Sequence, residues 1–157
     1  MNNRMSLVEF ECEGHRFALP LASVRRAIPS AQPAPLPGAT ENVLGVLNLG
    51  AEIAIVINFH RRVGLPFSEM GVSQQLLLID IPGACLGLVV DRVTGVKVCE
   101  VDDGPGIPGQ FAADVCVSTI VRVKDGLCII CDPEKFLRDD EKLLINEAIA
   151  QHIHAAH

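Results

Sequence analysis

Residues 7–12, Leu-Val-Glu-Phe-Glu-Cys, alternate apolar and polar with the period of two that marks a half-buried strand. Glu13-Gly14-His15 interrupts the run as a turn. Phe17, Leu19 and Leu21 then resume it, with Pro20 setting a kink or an edge. Pro29–Gly38 holds four prolines (29, 33, 35 and 37) and reads as an ordered, extended loop. Val43–Leu49 reads as a strand or a turn into one. Ile53–Phe59 is apolar at nearly every position, the pattern of a strand buried on both faces. Gly64–Phe67 opens another loop. Gln75–Ile81 and Cys85–Asp91 form a hairpin about Pro82-Gly83, Val96–Val101 adds a strand, and Asp102–Gly109 is a loop of Gly and Pro. Val115–Val123 and Leu127–Cys131 make a last hairpin about Lys124-Asp125-Gly126.

Helix signals arrive only near the end. Asp132-Pro133-Glu134 supplies an N-cap, a proline at the first helical position and an acid beside the positive end of the dipole. Asp139-Asp140-Glu141 repeats that charge logic for a second helix, with positions 145, 148, 149, 152, 153 and 156 at helical spacing. The stripe is mild, so this tail is expected to dock weakly or to cover a sheet edge.

The chain also echoes itself. Displaced by 69 residues, Phe10, Cys12, Phe17, Leu19, Leu21 and Val24 fall on Ile79, Ile81, Leu86, Leu88, Val90 and Val93, and Gly14 falls on Gly83. A displacement of 74 lays Ile55–Asn58 on Ile129–Asp132. Any two hairpins share a binary pattern, but the aligned turn favours two similar half-size β units. Units of about 70 residues hold little core alone, so the two are expected to share one.

Composition narrows the function classes. With 157 residues, 49% hydrophobic and 20% charged, the chain is one domain of ordinary size and excludes intrinsic disorder. A formal charge of −6 and the lack of Trp and Tyr argue against nucleic acid, which needs a basic face or stacking platforms. With only 6 Phe, the core is expected to be aliphatic. No signal-peptide h-region opens the sequence and no apolar run is long enough to span a membrane, so a cytoplasmic protein with its 6 cysteines reduced and mostly buried is expected.

Candidate chemistry is sparse. Neither a Walker loop nor a G-x-S-x-G elbow occurs, and the prolines of Gly104–Gly109 remove donors that a phosphate nest needs. Cys128-Ile-Ile-Cys131 has zinc-ligand spacing, yet in a strand residues i and i+3 point to opposite faces. His152, His154 and His157 could complete such a site, but a solvated tail explains them as well. Nothing in the sequence pairs His15 or His60 with a nucleophile, and Asp102-Asp103 before Gly104 is turn chemistry. No catalytic residue, metal site or cofactor is therefore expected. Aliphatic surface, two β units and the pairs Arg25-Arg26 and Arg61-Arg62 at strand ends suit a recognition module instead.

Four segments carry a resemblance. Phe17–Val24, Val43–Leu49, Ile53–Phe59 and Leu86–Val93 resemble, in order and spacing, the CheW-type chemotaxis coupling domain, over about residues 5–137. That family writes an alternating strand ending in Val, then G-V-x-N-L-R-G, then an apolar strand closing with Asp-Leu-Arg, then L-G-x-x-V-D-x-V. The resemblance implies a mainly β fold of two intertwined five-stranded SH3-like barrels sharing one core, with a C-terminal helix. It divides the chain into a CheW-like domain over 1–138 and a helix and tail over 139–157. It implies a non-enzymatic adaptor that joins chemoreceptor cytoplasmic tips to the regulatory domain of a CheA-type histidine kinase, without membrane insertion and with weak self-association allowed. A receptor helix would lie in an apolar groove between the barrels. Val24, Asn48, Leu49, Val90 and Val93 match motif positions near that groove or its support.

The departures are specific. Gly50-Ala51 stands where the family has Arg-Gly, Asn58 and His60 stand for the closing Asp and Arg, and Arg26 replaces an acidic residue. Arg26, Gly50 and Asn58 therefore join the candidate partner-binding set. Charge reversal at an interface disfavours the old partner and favours a complementary one. Two alternatives stay open: a self-associating relative that binds something else, and a thiol- or metal-dependent enzyme using Cys128, Cys131 and the terminal histidines.

Overall fold

The computed structural model describes residues 4–38, 41–66, 71–100, 117–123 and 126–155. The expected loop over Asp102–Gly109, the turn residues Lys124 and Asp125, and Phe67, Val101, Val115, Cys116, Ala156 and His157 lie outside the described residues.

Ten strands run in chain order: β1 (Arg4–Cys12), β2 (His15–Pro20), β3 (Val24–Pro29), β4 (Val43–Asn48), β5 (Ile53–Ile57), β6 (Gln75–Ile81), β7 (Ala84–Val90), β8 (Arg92–Glu100), β9 (Val117–Val123) and β10 (Gly126–Cys131). A single-turn helix α1 (Phe59–Arg62) follows β5, and α2 (Asp139–Ala155) ends the described chain. Two five-stranded sheets result, ordered β8-β1-β2-β10-β9 and β3-β6-β7-β5-β4. Each half of the sequence gives its first two strands to one sheet and its last three to the other.

The registers reproduce the sequence echo. Phe10 pairs with Phe17 and Ile79 with Leu86; Phe10 also pairs with Val93 and Ile79 with Val24. Both parallel contacts correspond too, Ile129 with Phe17 and Ile55 with Leu86. Even the bulges match, Arg25 in β3 with Thr94 in β8, and Leu44 in β4 with Ser118 in β9. The repeat is therefore real in three dimensions, but its two units exchange strands.

Each sheet curls. Ile28 of β3 and Leu47 of β4, from opposite ends of the second sheet, pack on the same buried Ala54, Leu78 and Cys85. In the first, Cys99 of β8 packs on a cluster that includes Val121 of β9. Between the barrels lies the largest core, with Phe10, Cys12, Phe17 and Leu19 from one side and Ile55, Ile57, Leu77, Ile79, Leu86 and Leu88 from the other. The core is largely Val, Ile and Leu as expected, with one aromatic cluster set into it. Phe59 meets Phe10, Phe17 and Phe136 edge-on, with ring centroids 5.3, 5.0 and 5.7 Å away. Four of the 6 phenylalanines thus share one spot, a geometry that rings prefer.

Several boundaries differ from the sequence reading. β3 was not visible in the pattern, because its exposed Arg25, Arg26 and Ala27 and its terminal Pro29 hide the alternation of an edge strand. Leu21 lies in a 3₁₀ turn (Leu21–Ser23) rather than extending β2. The strand expected at 96–101 begins at Arg92, and β5 stops at Ile57 because Asn58 caps α1. Asp132 does cap, accepting from the Glu134 N–H at 3.1 Å, but the element is a three-residue 3₁₀ turn (Pro133–Lys135).

Candidate partner-binding site

The bulge at Arg25 turns its side chain along the outside of the second barrel. There the guanidinium bonds to Glu52 in the β4–β5 connection and to Asp80 at the end of β6. Those hydrogen bonds push the already high pKa of Arg25 upward. The result ties β3 to the turn that carries Asn48, Leu49 and Gly50. Arg26, the next residue, is exposed on the same strand. Asn48 Oδ1 accepts from the Gly50 N–H at 2.8 Å, and Gly50 has φ +98°, a conformation in which a Cβ is strained. Asn48 and Gly50 are exposed, and Leu49 is half-buried against the second barrel's interior. Asn48, Leu49 and Gly50 thus share one turn, and Arg26 lies next to Arg25 on the strand linked to it.

The other motif residues lie deeper. Val24 and Val93 are half-buried equivalents packed against the shared core, and the Val93 N–H donates to Gln75 Oε1 at 2.8 Å. Val90 is fully buried in that core. Asn58 is also buried, and its Oδ1 accepts from the Arg61 N–H at 3.0 Å as the α1 cap.

Two polar centres escaped the sequence reading. Asp91 links β7 to β8. Its Oδ2 accepts from the Glu13 N–H at 2.7 Å, and its Oδ1 accepts from Gln74 Nε2 at 2.9 Å and lies 3.2 Å from His60 Nε2. Partial desolvation pushes this carboxyl up, but the Glu13 N–H, the Gln74 amide and His60 outweigh it and hold it below 3.8. The second centre is Glu141 in the first turn of α2, fully buried. Its Oε1 accepts from the Arg138 backbone N–H at 3.1 Å and lies 3.6 Å from Arg62 NH1, while Oε2 accepts from Asn42 Nδ2 at 3.3 Å. Arg62 thus turns inward rather than joining the recognition charges expected of Arg61-Arg62. Arg61 pairs with the exposed Glu41.

The two thiols of the Cys128–Cys131 pair do not converge. Cys128 faces the first barrel's interior, and Cys131 faces the shared core on the other side of the strand. Burial pushes the Cys12 and Cys128 thiols up to about 12, which suppresses the thiolate that nucleophiles and metal sites use.

A model of the CheW-like domain matches residues 6–141. The chain belongs to the CheW-like domain family. Chemotaxis protein CheW of Rhizobium meliloti (strain 1021) is 26% identical over 132 residues, covering 82% of this chain and 85% of that protein. The Bacillus subtilis (strain 168) protein of that name is 26% identical over 135 residues, covering 83% and 85%. The crystal structure of scaffolding protein TtCheW from Thermoanaerobacter tengcongensis matches with a TM-score of 0.77 at 21% identity, covering 90% of this chain and 96% of its own. The two intertwined SH3-like barrels are thus a CheW-like fold, and the family frames the chain as a chemotaxis scaffold. No helix among the described residues is long and apolar enough to cross a membrane.

Proposed function

We propose that this CheW-like chain is a non-enzymatic cytoplasmic adaptor that couples chemoreceptor tips to the regulatory domain of a CheA-type histidine kinase. The family match over residues 6–141 carries the reading. The exposure of Arg26, Asn48 and Gly50 supports it, and the Arg25–Glu52 ion pair links the two segments that carry them. The burial of Cys128 and Cys131 on opposite faces of β10 favours binding over a thiol site built on that pair. Val24, Val90, Val93 and Asn58 act in this reading by holding the groove and the adjoining turn. The partner-binding unit is residues 1–138, and residues 139–157 brace it through the inward Glu141 and Ile145.

Calorimetry with the kinase regulatory domain and a receptor tip encoded beside this chain tests the proposal. Binding at or below tens of micromolar to either is expected, and none to both overturns it. One observation favours a second reading: Val96 and Val98 on the end strand β8 are 60% and 64% exposed. Self-association along that edge would appear as a concentration-dependent mass in solution.

A further inference from the structure

Asp91 sits where the chain leaves one sheet for the other, and two further ligand-type side chains reach it from unrelated segments. His60 comes from α1, and Glu13 comes from the β1–β2 turn. One ligand atom from each of Glu13, His60 and Asp91 lies within 4.8 Å of the other two. From this convergence we propose that the Glu13–His60–Asp91 corner is a divalent transition-metal site, fitted to zinc.

The spacing is that of a coordination edge. Two ligands about 2.0–2.1 Å from a tetrahedral zinc ion stand roughly 3.3 Å apart. His60 Nε2 and Asp91 Oδ1 are already 3.2 Å apart. The ion takes the place of the proton between them, which leaves to solvent, and each atom binds through a lone pair. The imidazole is 1% exposed, so α1 and the core fix its position.

The other bonds to Asp91 orient the carboxylate without competing for the ion. Gln74 holds Oδ1 and the Glu13 N–H holds Oδ2, one lone pair on each oxygen, leaving the other lone pair free to coordinate. Hydrogen bonds that orient a ligating carboxylate are a regular part of metal sites. Glu13 is the one non-glycine residue with positive φ among the described residues, at +50°, and that turn aims its N–H at Asp91. Its own carboxylate is exposed and has no hydrogen-bond or ion-pair partner among the described residues, so it is available as the third ligand. Water completes the shell from the exposed side. One nitrogen and two carboxylate ligands suit zinc, cobalt or nickel better than calcium or copper(I).

Zinc titration of the full-length protein, followed by calorimetry and with cobalt(II) as a spectroscopic probe, tests the site. One ion per chain is expected, with a cobalt spectrum lacking thiolate charge-transfer bands. Glu13→Gln keeps the backbone N–H to Asp91, and His60→Gln keeps a donor toward it, so both variants should fold. Each should weaken zinc by at least about tenfold. Wild-type binding weaker than about 100 µM overturns the proposal. So does undiminished binding in both variants, which would move the ion to the tail histidines, or a thiolate-type cobalt spectrum.

Discussion

Truncating Asp91 to alanine would strand the Glu13 N–H, the Gln74 amide and the His60 ring together. Leaving such donors without an acceptor costs about 2–4 kcal/mol in total, which a urea midpoint would register. Arg26→Glu should behave oppositely. Its side chain is exposed, so the melting temperature should hold while kinase or receptor binding falls by about tenfold or more. A matching loss of stability would show that Arg26 is structural. The thiols set a pH limit. Burial raises Cys12 and Cys128 from 9.0 to about 12, so the unfolded chain gives up these protons first. Between those values it binds fewer protons than the native chain, and stability falls as pH rises; below pH 9 the contribution is complete. Cys12→Ala/Cys128→Ala should flatten that alkaline loss in denaturation curves from pH 8 to 11. At this scale the sequence was partly readable. Arg26 and Gly50 stood out against the family pattern, whereas the His60–Asp91 contact spans 31 residues and no local periodicity encodes it.

Elements show where period-based reading stops. The β1–β2 and β6–β7 hairpins and β5 were legible because their apolar positions are buried and continuous. β3 was not, because an edge strand with little burial leaves no period to detect. α2 was placed at the right start and Ile145 of its stripe is buried as expected, but the stripe leaves out the polar anchor of the first turn. Ile145 is fully buried, whereas Leu143 and Leu144 are 61% and 43% exposed, and the buried Glu141 anchors the first turn through Arg138, Arg62 and Asn42. Glu141→Ala should therefore cost about 3 kcal/mol or more, since it leaves Arg62 facing the interior without that carboxylate. Leu143→Ala should stay within about 0.5 kcal/mol. The proline-rich connection offers a further test. Ala34 exchanges two backbone hydrogen bonds with Val46, 2.8 and 2.9 Å long, and covers the edge of β4. A Cβ on Gly45 would come within 2.2 Å of the Ala34 oxygen, so Gly45→Ala should destabilise by about 1–3 kcal/mol in the same denaturation assay.

For the molecule as a whole, the 69-residue echo announced two like units and a common core but not their exchange of strands. Binary pattern records which residues face inward, not which neighbour they face. The exchange makes the sequence halves incomplete. A chain divided between Pro66 and Gly71 should give two pieces with no cooperative melting transition apart, and a mixture that regains one, followed by circular dichroism. The same connectivity imposes a timetable on biosynthesis. The second barrel needs nothing beyond Val90, while the β1–β2 hairpin, first off the ribosome, lacks its lateral neighbours until β8 and β10 are made. At roughly 5–20 residues per second, that delay lasts on the order of 5–20 s. A nascent chain paused after Val90 would carry one finished barrel and an N-terminal hairpin with Phe10, Phe17 and Leu19 incompletely covered, a form suited to a holding chaperone.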